Sequence, residues 1–230
     1  MAEQLPLFPL NAVVFPGVAL PLHVFEDRYR SLVHHLLSIP DTTMRLFGIV
    51  AIREGYEVGG RGAAKQSLHR VGCVVQLTSV EGYEDGRFDI EVVGRHRMQL
   101  RDVDASGAYL VGDVEALTER PSTGPARTGE TAREAARTLG TFEDYRRRLT
   151  ELSGGDVLGG AVPQDPELLS FTLAATCLLT LQERQSLLEA ESARERLAML
   201  RHTLLVELRA MRAVPSLPAT DVARTGWSPN

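Results

Sequence analysis

Four prolines, Pro6, Pro9, Pro16 and Pro21, are spaced through the apolar opening LPLFPLNAVVFPGVALPL. A proline lacks an N–H and its ring clashes with the preceding turn, so this segment cannot be one helix. Short strands remain, with the prolines confined to strand ends, edges and turns. Phe15-Pro16-Gly17 reads as a turn between two of them.

From Phe25 the period changes. Phe25, Tyr29, Leu32, Val33, Leu36 and Leu37 recur at helical spacing, predicting one amphipathic helix that stops near Pro40. Strand signals resume at RLFGIVAI (45–52), and the glycine-rich EGYEVGGRGAAKQ (54–66) reads as a long loop. Val71, Cys73, Val75 and Leu77 alternate, and so do Phe88, Ile90 and Val92. Between those runs, EGYEDG carries the Asp-Gly signature of a hairpin. MQLRDV and YLVGDVEAL supply two further candidate strands. Many short strands with one early helix predict a closed or nearly closed β-barrel.

At TERPSTGPARTGET the apolar pattern gives way to Pro, Gly, Ser and Thr, which marks a linker. Beyond it the period is helical. Ala135, Leu139, Phe142, Leu149 and Leu152 mark one helix, weakened at Gly140 and broken at GGDVLGG. Asp165-Pro166 opens a second, Thr180-x-x-Glu183 a short third, and Ser192-x-x-Glu195 a long fourth. Leu197, Leu200, Leu204, Leu208 and Met211 form one stripe on that fourth helix. The expected organisation is an α+β chain: a barrel over 1–118, a linker over 119–131, a helical bundle over 132–213 and a flexible tail over 214–230, where Trp227 could dock.

Charge and cysteine content narrow the function. Residues 1–118 carry 11 basic and 15 acidic side chains, and the remainder 14 and 15. Neither half has the basic excess of a phosphate-binding protein, so nucleic acid is a disfavoured partner. The two cysteines, Cys73 and Cys177, fall in different units, which argues for buried thiols in a reducing compartment and a cytoplasmic location. The N-terminus has no basic residue before Arg28, unlike a signal peptide. The uncharged helical run LLSFTLAATCLLTL has fourteen residues and four hydroxyls, too short and polar to span a bilayer.

The opening also resembles a known family. Leu5-Pro6-Leu7, Pro9-Leu10, Phe15-Pro16-Gly17 and Leu20-Pro21-Leu22 match, in order and spacing, the start of the Lon protease N-terminal, or substrate-binding, domain. VGCVVQLTSVEGYEDGRFDIEVVGRHRMQL resembles that family's second block, with Gly94-Arg95-His96-Arg97 as a step into the next strand. DPELLSFTLAATCLLTLQERQSLLEAESARERLAML resembles its helical part, through Leu187-Leu188-Glu189 and Arg196-Leu197. The resemblance implies a barrel of the pseudouridine-synthase-and-archaeosine-transglycosylase (PUA-like) type followed by a helical bundle. It also implies a role in binding exposed apolar segments of unfolded or damaged polypeptides, in protein quality control, for a separate ATP-dependent protease. The sequence has no Gly-x-x-x-x-Gly-Lys-[Ser/Thr] loop, and Lys65 is its one lysine. A stand-alone, non-catalytic module is therefore expected. A nucleic-acid-binding barrel and a small-molecule binder are the alternatives.

Chemical motifs are sparse. His69 and Cys73 sit about 13 Å apart if they lie on one strand, and adjacent His34 and His35 point about 100° apart on a helix, so no metal site and no cofactor is expected. No serine lies in a Gly-x-Ser-x-Gly elbow. Arg146-Arg147-Arg148 is flanked by Glu143, Asp144 and Glu151, as on a solvated helix face. The residues that the core leaves unexplained are Tyr56, Val58 and Arg61 in the glycine-rich loop and Tyr83 at the hairpin tip. These four are the expected polypeptide contacts.

Overall fold

The computed structural model describes residues 3–53, 67–120, 125–156 and 158–213, with backbone alone for 125–127. The glycine-rich segment with Tyr56, Val58 and Arg61, and the tail with Trp227, lie outside the described residues. Two compact units meet in sequence between Thr118 and Glu119.

The first unit contains β1 (Glu3–Leu10), β2 (Ala19–Val24), α1 (Asp27–Ser38), β3 (Leu46–Ala51), β4 (Val71–Gly82), β5 (Phe88–Asp104) and β6 (Leu110–Ala116). The sheet runs β2-β5-β4-β3-β1-β6, and β5 also pairs with β6. Strands β1, β3, β4, β5 and β6 thereby close a ring, with β2 attached outside it on β5.

The prolines of β1 fit because its two halves have different neighbours. Residues Glu3–Leu7 pair with β6, and Leu7–Leu10 pair with β3 in parallel. Pro6 and Pro9 each sit where the strand has one neighbour, so neither missing N–H interrupts a ladder. Phe15-Pro16-Gly17-Val18 is a tight turn: Val18 N–H donates to Phe15 C=O (3.2 Å) and Gly17 takes φ 77°.

Two apolar cores result. One draws Leu5 and Leu7 from β1, Val50 from β3, Val74 from β4, Met98 and Leu100 from β5 and Val114 from β6, as the inside of a closed ring must. Gly48 is tightly packed there: a Cβ would stand 2.4 Å from Met98 Cε, so the methionine side chain would have to shift to admit one. The other core lies on the outer face, where Tyr29, Leu32, Val33 and Leu36 of α1 cover Phe8, Phe47, Ile49, Cys73, Val75, Phe88, Ile90 and Val92. Phe8 and Tyr29 stack with centroids 3.9 Å apart. The alternation in β4 and β5 is thus real, but Val74 and Met98 on the opposite face are buried too.

Two expectations need correction. RFDIEVV and MQLRDV are one 17-residue strand, β5, running straight through Gly94-Arg95-His96-Arg97. Bulges where the β4 register shifts after Val74 and the β6 register shifts after Leu100 bend it, so that its first half can pair with β2 and its second with β6. Secondly, Phe25 and Leu37 do not belong to the buried stripe: they are 43% and 36% exposed. The helix starts at Asp27, and its fourth residue is Arg30, so Phe25 has no apolar partner to staple against.

The second unit holds α2 (Pro125–Ser153), α3 (Pro166–Thr176), α4 (Leu181–Glu189) and α5 (Ala193–Ala213). Helix α2 begins inside the stretch whose composition reads as linker, because Pro125 suits a first turn. Asp165 Oδ1 accepts from Glu167 N–H (3.1 Å) and Leu168 N–H (2.9 Å) at the start of α3. Thr180 and Glu183 form a complete capping box. At α5 the box is shared differently: Ser192 Oγ accepts from Glu195 N–H (3.3 Å), while the Glu195 carboxylate accepts from Glu191 N–H (3.0 Å). Leu197, Leu200, Leu204, Leu208 and Met211 are all buried.

At the centre of these helices lies Arg196, whose side chain is fully buried. Its guanidinium donates to Leu187 C=O (2.9 Å), Ser170 Oγ (2.7 Å) and Ala190 C=O (3.3 Å), pairs with Glu119, and lies 3.9 Å over the Phe171 ring. One planar fork thus joins α3, α4 and the residue that opens the unit.

Candidate functional site

Tyr83 stands in the β4–β5 hairpin. The loop Glu84-Asp85-Gly86 closes through Tyr83 N–H to Arg87 C=O (2.9 Å) and Gly86 N–H to Tyr83 C=O (2.9 Å), with Gly86 at φ 81°. This is a three-residue hairpin ending in a left-handed glycine, not a two-residue Asp-Gly turn. Asp85 accepts from Arg87 N–H (3.1 Å) and Nε (2.7 Å). That backbone hydrogen bond holds the Asp85 carboxyl below its usual range.

Beside the hairpin, His23 of β2 pairs across with Asp89 of β5. His23 Nδ1 lies 2.6 Å from Asp89 Oδ1, and the Tyr83 hydroxyl donates to Asp89 Oδ2. The Tyr83 hydrogen bond, then that of His23, holds the Asp89 carboxyl below its ordinary range, and the same bond pushes the Tyr83 hydroxyl up. The His23 ring is 6.2 Å from Phe25 and 6.3 Å from Tyr83, and the Arg87 guanidinium lies 5.9 Å from the Tyr83 ring. Phe25 and Tyr83 are 43% and 41% exposed. Three rings and one guanidinium therefore form a continuous surface at one end of β2.

What this arrangement can offer chemically is contact area. A His–Asp pair supplies two of the three members of a catalytic triad, but the second ring nitrogen, Nε2, faces Arg87 Nη1 at 3.5 Å. Arginine has no acceptor and is no nucleophile. Aromatic and arginine side chains on a carboxylate-anchored frame supply contact area at low entropic cost instead. Of the four expected contacts, Tyr83 stands in this row, which also takes in Phe25 and His23, two residues the sequence does not single out as contacts. The signal for Phe25 was the arginine four residues into the helix, where a stapled phenylalanine needs an apolar partner.

The other candidates separate. Arg146 pairs with Asp156, Arg147 with Asp144, and Arg148 with Glu151 (2.9 Å), so the arginine run is a neutralised helix face. A cavity of about 400 Å³ beside it is lined by Glu143, Arg146, Arg147, Thr150, Glu151 and Asp156. Another, of about 300 Å³, lies between α2 and Val162, Pro163 and Leu169. Among the described residues no three His, Cys, Asp or Glu side chains converge as metal ligands. No described helix is long and apolar enough to cross a membrane. Cys73 and Cys177 are free and buried, and burial pushes both thiols up to about 12.

Comparison with known proteins gives these features a context. The chain is 31% identical over 126 residues to Lon protease 2 of Syntrophobacter fumaroxidans, covering 54% of this chain and 15% of that protein. It is 25% identical over 223 residues to the Lon protease of Porphyromonas gingivalis, covering 94% of this chain and 25% of that protein. The chain thus spans a quarter or less of either relative. Among solved structures, the N-terminal domain of Mycobacterium avium complex Lon protease aligns with TM-score 0.62 at 19% identity, over 88% of this chain and 98% of that one. The Lon N-terminal domain protein from Xanthomonas campestris aligns with TM-score 0.58 at 23% identity, over 86% and 96%. At those identities the likeness establishes the fold. Residues 4–205 match the family model described as the ATP-dependent protease La (LON) substrate-binding domain, and by that match over most of its length the chain belongs to the LON substrate-binding domain family.

Proposed function

We propose that this chain is a non-catalytic polypeptide-binding module that takes hold of exposed apolar segments of unfolded or damaged proteins, for degradation by an ATP-dependent protease. The observation that carries the reading is the row of exposed Phe25, half-buried His23 and exposed Tyr83, with Arg87 at its end. Family membership supports a substrate-binding role, and the apolar, aromatic character of the row supports the class of substrate. Tyr56, Val58 and Arg61 remain part of the proposed contact set beside Tyr83.

The test is a titration of the intact chain with a fluorescent, permanently unfolded polypeptide, with single-stranded RNA of similar size as control. Replacing Phe25 and Tyr83 together by alanine is expected to weaken polypeptide binding by about 2 kcal/mol or more, as loss of true anchors does. The companion replacement of Tyr56, Val58 and Arg61 by alanine assigns the share of the loop. Unaltered affinity in both variants would place the site elsewhere, and tight, salt-sensitive RNA binding without polypeptide binding would overturn the reading.

A further inference from the structure

Strand β2 is terminal in the sheet: β5 pairs with one edge, and among the described residues no strand pairs with the other. The register fixes which of its backbone groups point outward. Gly94 N–H donates to Val18 C=O (3.0 Å), and antiparallel pairs alternate between hydrogen-bonded and non-bonded. Leu20, Leu22 and Val24 therefore face β5, while Ala19, Pro21 and His23 turn their backbone groups away. Two details agree with this phase. Pro21 has no N–H to give, which suits an outward position. His23 and Asp89 touch through side chains at 2.6 Å, as the closer, non-bonded pairs allow. The outer edge thus presents the N–H groups of Ala19 and His23 and the C=O groups of Ala19, Pro21 and His23.

The side chains around that edge are unevenly covered. Leu20 and Leu22 are half-buried at the margin of the outer core, and Ala19 and Pro21 are exposed on the opposite face. Phe25 stands exposed just past the strand's end. A further strand beside β2 would satisfy the outward groups and complete the cover over both leucines.

We propose that an extended client segment adds as a strand to the outer edge of β2, its alternate apolar side chains covering Leu20 and Leu22 and its end lying against Phe25. This rests on the polypeptide-binding reading above and specifies how the client is held. The occupant follows from the groups offered: donors and acceptors recurring at every second residue match an extended backbone. A second copy of this chain is a poorer fit. In a two-fold pairing centred on Pro21, each Pro21 C=O would meet a nitrogen with no hydrogen, and both central bonds would be lost. A client with an N–H at that position makes the bond. The same proline restrains open-ended sheet growth from the edge.

The test uses the intact chain and two probes: the unfolded polypeptide above, and a fluorescent eight-residue peptide of alternating valine and threonine. A twin of that peptide, N-methylated throughout, keeps the side chains and lacks every N–H. Ala19→Pro removes an outward donor that the β2–β5 ladder does not use. The proposal expects the twin not to bind and Ala19→Pro to bind both probes about fivefold more weakly, the net worth of one backbone hydrogen bond, at an unchanged urea midpoint. If Ala19→Pro fails to fold, the twin still decides. If the unfolded polypeptide binds wild type and Ala19→Pro alike and the twin matches its parent, strand addition is overturned while polypeptide binding stands. If neither probe binds wild type, the functional reading itself falls. A dimer in sedimentation that Ala19→Pro abolishes would assign the edge to a second copy and overturn the proposal.

Discussion

Replacing Arg196 by methionine is the substitution whose cost is most directly calculable. The side chain has no solvent exposure and gives hydrogen bonds to Leu187, Ser170 and Ala190 besides its ion pair with Glu119, whose own side chain is 15% exposed. Methionine fills much of the same volume and keeps a contact with Phe171, so the cavity contribution is small. What is lost is electrostatic. Removing one member of a buried ion pair costs about 3–5 kcal/mol, because the remaining charge is left without compensation. The two stranded carbonyls do not add their full penalty, since neighbouring losses are not additive and water can enter. Against a usual total of about 5–15 kcal/mol, Arg196→Met should bring the helical unit close to unfolding. Urea unfolding of the intact chain, followed by circular dichroism at helical wavelengths, measures it. Adding Glu119→Leu to Arg196→Met should recover part of the loss, since an apolar pair does not strand a charge. A loss under about 1 kcal/mol for Arg196→Met would refute the claim that this fork holds the helices together.

Gly140 is exposed in the interior of α2, and a Cβ there meets nothing within 4 Å, so Gly140→Ala should stabilise the chain by about 1 kcal/mol in the same urea experiment. The Cys73 and Cys177 thiols, pushed up to about 12 by burial, should resist a thiolate-selective reagent at pH 8 in the native chain and react at once in urea. Rapid native labelling would show that one of them is accessible. Asp89 is held below its ordinary range, so the hydrogen bonds it accepts are complete above the unfolded carboxylate value, near 4, and are lost as pH falls through the lower folded value. Tyr83→Phe should therefore raise the Asp89 value in a carboxyl-detected NMR titration, and no change would mean that the Tyr83 hydroxyl does not anchor the row.

How far the sequence revealed this molecule depended on range. Proline placement, the Phe15-Pro16-Gly17 turn, the α3 cap and the α4 capping box are local chemistry, and each appears where its residues demand. Strand pairing is not local. Nothing in the alternation of β1 shows that its halves serve β6 and β3 separately, or that β5 bends at bulges to pair with β2 and β6. Gly94 opens the step that the family resemblance sets before a new strand. In the structure its missing side chain admits the Phe15 carbonyl, which a Cβ would meet at 2.2 Å, so the glycine marks a close approach and not an end. The surface row was half legible for the same reason. Tyr83 sat in an obvious hairpin, whereas Phe25 fitted a helical period that begins two residues after it.

The central claim is that this member of the LON substrate-binding family grips unfolded polypeptide through the row at the end of β2. Fluorescence titration of the intact chain with a permanently unfolded polypeptide, in wild type and in Phe25→Ala/Tyr83→Ala, tests it most directly. The account predicts saturable binding by wild type and a loss of about 2 kcal/mol or more in the variant, with the urea midpoint unmoved. Equal affinity in the two proteins, or binding by wild type to folded and unfolded chains alike, would contradict it.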